Sequence, residues 1–139
     1  MTEPDLYDRP EFTGPAPVID LDRPVALSVN SLVHFIPGQD AYDLVTALMA
    51  RLAPGSLLIL SSITRDFAPK MMDEVAASYS SSVVPLELRT KAQIERFFDG
   101  LDMVDPGVVP YPMWRPASDD VIPPLDHVNG FCGVAIKHG

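Results

Sequence analysis

The stretch Pro24–Ile63, PVALSVNSLVHFIPGQDAYDLVTALMARLAPGSLLILSSI, limits what this chain can fold into. Val25–Val33 is a continuous apolar run with β-branched residues, the pattern of a strand buried on both faces. Asp40–Leu52 places Ala41, Leu44, Val45, Leu48, Met49 and Leu52 at helical spacing, with Asp40 as the N-cap. Ala53-Pro54-Gly55 stops that helix, and Leu57–Ile63 is a second buried strand. The first strand ends in Asn30-Ser31-Leu32-Val33-His34-Phe35, a polar and aromatic cluster. Open α/β sheets bind ligands at the carboxyl ends of their strands, so the unit predicts a small-molecule site.

The rest of the chain continues the alternation. Pro69 opens a helix that runs to about Ser80 through Met71, Met72, Val75, Ala76 and Tyr79. Val83–Leu88 reads as extended. Thr90 caps a short helix, Lys91–Phe98, ended by Gly100. Met103–Val109 is a third strand and Asn129–Lys137, NGFCGVAIK, a fourth. Helices between strands argue for parallel crossovers through residue 109. Only the proline-rich segment 110–125 joins the last two strands, which predicts an antiparallel final strand. Residues 1–24 read as a polar, proline-rich lead-in, and 25–139 as half of an α/β domain.

Composition excludes several classes. A chain of 139 residues with 47% hydrophobic content can build a core and is not generally disordered. Its 10 basic and 19 acidic residues give a net charge of −9, with no basic patch, so nucleic acid is not an expected partner. Residues 1–17 carry Glu3, Asp5, Asp8 and Glu11 and no signal-peptide core. The apolar runs are strand-length, so no membrane partner is expected and a cytoplasmic location is the default. Cys132 is the single cysteine, giving neither an internal disulfide nor a metal framework. Fifteen prolines, about twice the usual ~5%, cluster at 4–24, 106–116 and 123–124, which marks those segments as loops.

Six segments, in order, resemble the carboxyl-terminal half of the actinobacterial S-adenosyl methyltransferase family, a class I group. They are DLDRPVAL (20–27), LVHFIP (32–37), LAPGSLLILS (52–61), RFFDGLDMVDPGVV (96–109), WRP (114–116) and GFCGVAIK (130–137). The resemblance implies an α/β, Rossmann-like fold whose full sheet has the order 3-2-1-4-5-7-6. Residues 25–33, 57–63, 102–109 and 129–137 then look like strands 4, 5, 6 and 7, in the partial order 4-5-7-6 with strand 7 antiparallel and helices flanking. It also implies S-adenosylmethionine as cofactor and methyl transfer to a small-molecule acceptor.

Strands 1 to 3 of the family have no counterpart, and residues 1–24 hold no G-x-G motif. The expectation is a truncated methyltransferase. The alternatives are a non-catalytic remnant or interaction module, or one subunit of a split enzyme. In the partial order, strand 25–33 becomes an edge without charge or proline, and such edges recruit other chains. A homodimer, or a partner carrying the amino-terminal half, is expected to pair through it.

The resemblance also assigns roles. Asn30, Ser31 and Leu32 would border the methionine part of the cofactor, and Asp5-Leu6 would match an Asp-Leu facing the adenine. As plain loop residues, Asn30 and Ser31 would instead satisfy backbone groups. His34-Phe35 matches a His-Phe pair, which implies a substrate-pocket wall with His34 as a base; the competing reading is a packing pair at the helix start. Ser61, Ser62 and Thr64 end the second strand and could line the same cleft. A hydrolase triad is rejected, since no G-x-S-x-G elbow exists. Tyr111 and Trp114 follow the third strand and could form a substrate lid, with a structural role the simpler reading for Trp114. Adjacent Asp126 and His127 lack metal-ligand spacing, and no metal is expected. Cys132 reads as a core residue.

Overall fold

The computed structural model describes residues 18–80 and 84–139. Eight elements follow in order: β1 (Ala26–Asn30), α1 (Gln39–Ala50), β2 (Leu57–Ile63), α2 (Pro69–Ser80), α3 (Lys91–Glu95), β3 (Asp102–Met103), β4 (Val109–Pro110) and β5 (Gly130–Ile136). Single 3-10 turns occur at Val33–Phe35, Arg96–Phe98, Tyr111–Met113 and Leu125–His127. The sheet order is β1-β2-β5-β3, with β4 also on β5. β1 and β2 are parallel, and β5 runs antiparallel to β2, β3 and β4. This is the partial order 4-5-7-6 with the last strand reversed.

Local chemistry explains most boundaries. Pro69 is the first residue of α2, where its missing N–H would have no partner anyway. Thr90 caps α3 in a reciprocal box: its hydroxyl accepts from the Gln93 N–H, and the Gln93 side chain accepts from the Thr90 N–H. Lys137, just past β5, donates to the Met49, Ala50 and Leu52 carbonyls at 2.8, 3.3 and 2.7 Å. Those carbonyls lie at the end of α1, where the last turn has acceptor capacity to spare and a cation also suits the helix dipole.

Four expectations need correction. α1 is capped by Gly38 at φ +71°, and Asp40 lies inside the first turn. Its buried residues are Ala41, Tyr42, Val45 and Met49; Leu44, expected in the inward stripe, is 39% exposed. β1 is not buried on both faces: Leu27 and Val29 pack against the core, while Ala26, Ser28 and Asn30 are exposed. The expected strand 102–109 is two short pieces, because a turn intervenes in which the Gly107 N–H donates to the Val104 carbonyl at 2.9 Å. The segment read as extended, 83–88, carries no helix over its described residues 84–88; Val83 and the lead-in up to 17 lie outside the described residues.

The core sits on one face of the sheet. Leu58 and Leu60 of β2, Val29 of β1, and Phe131 and Ala135 of β5 meet Val45, Met49, Ile94, Phe97 and Phe98 there. The register aligns Ser28, Ile59 and Val134 on the opposite face. That face is less covered: Ile59 and Val134 are half-buried and Ser28 is exposed.

Candidate functional site

The carboxyl ends of β1 and β2 are stitched together at Ser31. This residue leaves β1 in the left-handed region, at φ +55°. Its N–H then points across to Ser61, reaching the carbonyl at 3.1 Å and the hydroxyl at 3.2 Å. Ser61, Ser62 and Thr64 are buried, with Ser61 and Ser62 on opposite faces of β2. Asn30 is exposed and donates to the Ser28 hydroxyl at 2.6 Å. Leu32 is exposed.

Tyr111 returns to this point from far along the chain. β4 pairs Pro110 with Phe131, which delivers the next residue over Gly130. Gly130 has no Cβ, and the Tyr111 ring fills the space one would take. The hydroxyl lies beside Ser31, Ser61 and Cys132, but forms no well-aligned hydrogen bond with any of them. Burial, with a smaller contribution from Cys132, pushes the phenol up to about 12, while the two serine hydroxyls pull it back slightly. Tyr111 is therefore a neutral donor at physiological pH. Burial likewise raises the Cys132 thiol, which is only half-buried rather than the core residue expected. Trp114 is held from behind: Arg115 lies 5.0 Å from its ring centre and donates to the Asp105 carbonyl at 2.9 Å.

His34 forms a second cluster on the loop after β1. Its ring centre is 4.4 Å from that of Phe35, which in turn lies 5.9 Å from Tyr79. The side chain is 4% exposed. Burial first, and the charge of Arg89 second, lower its pKa, so the imidazole is neutral. Glu87 and Arg89 hold this loop, and neither was legible beforehand: one acidic and one basic residue in an irregular segment carry no pattern. Asp5 and Leu6 lie outside the described residues.

Among the described residues, four buried side-chain atoms have no hydrogen-bond partner: His34 Nδ1, Ser62 Oγ, Tyr111 Oη and Trp114 Nε1. Buried polar groups are nearly always paired, and leaving one unpaired costs about 1–3 kcal/mol. All four fall on residues that the sequence singled out. Volume does not mark the same place. One concavity of about 350 Å³ is lined by Ala68, Pro69, Lys70, Met71 and Glu74. Another of about 290 Å³ lies between α1, residues 97–101 and Lys137–His138. Neither contains an orphaned group. Among the described residues no helix is long and apolar enough to cross a membrane, and no cluster of three or more His, Cys, Asp or Glu could hold a metal ion.

The neutral His34 has a consequence for stability. Its folded pKa is depressed, so the unfolded chain binds the extra proton first as pH falls. The contribution is full above the unfolded value of ~6.5 and is lost as pH drops through the folded value. Urea unfolding at about pH 7.5 and about pH 5 should show a larger loss for the native chain than for His34→Gln. Equal losses would mean that His34 is not a buried neutral group.

The S-adenosyl methyltransferase family model matches residues 5–138. A solved DUF574 family protein from Streptomyces avermitilis superposes with a TM-score of 0.80 at 38% identity, over 86% of this chain and 46% of its own. A provisionally assigned methyltransferase from Thermobifida fusca gives 0.76 at 28% identity, over 96% of this chain and 49% of its own. A SAM-dependent methyltransferase from Methanosarcina mazei gives 0.54 at 12% identity, over 86% and 61%, a likeness of fold alone. The chain thus spans about half the length of the first two. No curated protein matches.

Proposed function

We propose a function on one premise: the chain belongs to the S-adenosyl methyltransferase family. The described half of the sheet forms the methionine side and acceptor side of a site for methyl transfer to a small molecule. The observation that carries this is the orphaned Tyr111 hydroxyl beside Ser31 and Ser61, at the joined ends of β1 and β2, with further unpaired atoms on His34, Ser62 and Trp114. Such groups suit a ligand's polar atoms, because a pocket needs few of them but needs them fixed.

S-adenosylmethionine, when bound, supplies an electrophilic methyl group on a sulfonium. Asn30, Ser31 and Leu32 would border its methionine part, with Ser31 fixed by its bonds to Ser61. Asp5 and Leu6 would face the adenine. Phe35, Ser61, Ser62, Tyr111 and Trp114 would line the acceptor side. The gain from such a wall is positioning, since an in-line displacement depends mainly on proximity and orientation. His34, neutral and with a free Nδ1, is the residue able to take a proton from an acceptor that must lose one. Tyr111 holds its proton and acts as a donor. A cytoplasmic location goes with the free thiol of Cys132.

No Gly-rich loop lies among residues 1–24, so this chain alone should bind S-adenosylmethionine weakly. Titration calorimetry should show no saturable binding near 1 μM, the affinity worth about 8 kcal/mol. Adding the part of the Streptomyces avermitilis relative that this chain does not match should create it. Micromolar binding by this chain alone sinks the half-site reading. No binding by the mixture sinks the methyltransferase reading.

A second reading, an assembly module, has its own observation. Among the described residues β1 is an edge strand without charge or proline, and the exposed side chains of its open face, Ala26, Ser28 and Asn30, are small. Its free backbone groups suit pairing with a second copy or with an amino-terminal half. Ser28→Lys adds an edge charge on the exposed side and leaves the inward Leu27 and Val29 alone. Light scattering at several concentrations should show association in the native chain and a monomer in Ser28→Lys. A native monomer at every concentration removes this reading.

A further inference from the structure

Glu87 and Arg89 grip the loop that carries His34. Arg89 is 1% exposed. Its guanidinium donates to the carbonyls of Val33 at 2.8 Å, Ile36 at 2.8 Å and Gly38 at 3.1 Å. It pairs with the Glu87 carboxylate at 3.0 Å. It lies 5.3 and 5.2 Å from the ring centres of Tyr42 and Phe97. Glu87 completes the grip from both ends: its N–H donates to the His34 carbonyl at 2.8 Å, and its carboxylate accepts from the Gly38 N–H at 2.6 Å.

A buried charge is a poor device for stability alone, since an apolar side chain of similar volume often does as well or better. What the charge adds is direction. Its hydrogen bonds go to main-chain atoms between Val33 and Gly38, and three separate carbonyls must point inward at once to satisfy it. Arginine is suited to this because its donors are set in a rigid plane; lysine offers one compact ammonium. The stacking on Tyr42 and Phe97 ties that plane to α1 and to the turn after α3, both parts of the core. The loop is thereby referenced to the core rather than to solvent.

We propose that Glu87 and Arg89 are positioning residues that fix the Val33–Gly38 loop and so present His34 at the carboxyl end of β1. The proposal rests on the reading of His34 as a site residue. Around the imidazole, Arg89 supplies the charge and Phe35 the adjoining ring; Glu87 meets the His34 main chain, and Tyr79 stands behind Phe35. Burial is the main cause that keeps the imidazole neutral, and Arg89 adds to it, so the residue that holds the loop also bears on His34 protonation.

The test is Arg89→Lys in the full chain, followed by NMR through amide exchange and the His34 imidazole titration. Exchange at the Gly38 and Glu87 amides should rise roughly tenfold or more, the scale of losing a charge-assisted hydrogen bond. The Leu58 and Leu60 amides of β2 should keep their protection. The His34 midpoint should move up toward the ordinary value as the loop opens to water. Uniform loss of protection across the chain, or an unmoved His34 midpoint, overturns the proposal in favour of a purely structural role. If Arg89→Lys does not fold, Glu87→Gln serves, since the Glu87 side chain is 33% exposed. It should raise Gly38 exchange and shift His34 in the same local pattern, and no change at either site overturns the proposal. No ligand enters these measurements. Their failure leaves the methyl-transfer reading standing, and failure of the calorimetry leaves this one standing.

Discussion

Gly130→Ala should drive Tyr111 off the ends of β1 and β2. A Cβ at Gly130 would overlap Cζ, Cε2 and the hydroxyl of the Tyr111 ring. A ring cannot yield at one edge, so it must move as a whole. The backbone cannot yield instead, because Gly130 is paired with Ile63 on β2. Overpacking of this kind costs about 1–3 kcal/mol. A second readout isolates the cause: the Tyr111 phenol, held at about 12 in the native chain, should titrate nearer its ordinary value of 10.0 once exposed. Absorbance titration against Tyr111→Phe separates it from the other tyrosines. Gly130→Ala combined with Tyr111→Ala should recover part of the lost stability, because the small side chain removes the clash. A Gly130→Ala chain as stable as the native one, with Tyr111 still titrating near 12, would show that the ring is not seated there.

The larger loss of stability is expected from Leu60→Ala. Leu60 is fully buried in the middle of β2, opposite Val29 on one side and Gly133 on the other. Gly133 has no side chain to lean into a gap, and Phe98, Val108 and Met103 already close over its backbone. A cavity at position 60 would therefore collapse poorly, which places the cost in the upper part of the range, about 3–5 kcal/mol. Leu44→Ala removes the same atoms from the exposed side of α1 and should stay within about 0.5 kcal/mol. Urea midpoints of the two variants are the comparison. Equal losses would mean that the two leucines are buried alike, contrary to the packing described.

That contrast also shows what the sequence could convey. β2 and β5 were legible because their apolar runs pair with each other and are covered over most of their length. β1 misled because Ala26 and Ser28 are small enough to suit either face; its exposed side lies on the sheet face opposite the core, which is less covered, and no local pattern records that. Leu44 fits the helical period of α1, yet the period says nothing about how wide the buried stripe is. The turn chemistry at Pro69 and at Thr90–Gln93 was legible because it is local. Of the candidate site, His34, Ser61 and Tyr111 could be named from their positions at strand ends. Their grouping could not, since Tyr111 reaches Ser31 and Ser61 only through the pairing of β4 on β5. Glu87 and Arg89 were invisible for the same reason: their partners are main-chain carbonyls and an amide of a distant loop.

The sheet's connectivity bears on the order in which the molecule can assemble. β5 is the last strand along the chain, yet it lies between β2 and the β3–β4 pair, and both of those short strands hydrogen-bond to it. During synthesis β1, α1 and β2 emerge together and can form a local parallel unit. β3 and β4, two residues each, must wait for β5 before they have a partner. The brace of Lys137 on the end of α1 comes later still. Closing such distant contacts is slow, because the loop entropy is lost before the pairing returns anything. While it waits, β2 offers the growing chain an open edge on the side that β5 will fill, which makes the interval before the last strand arrives the one in which this fold is most exposed to misassembly.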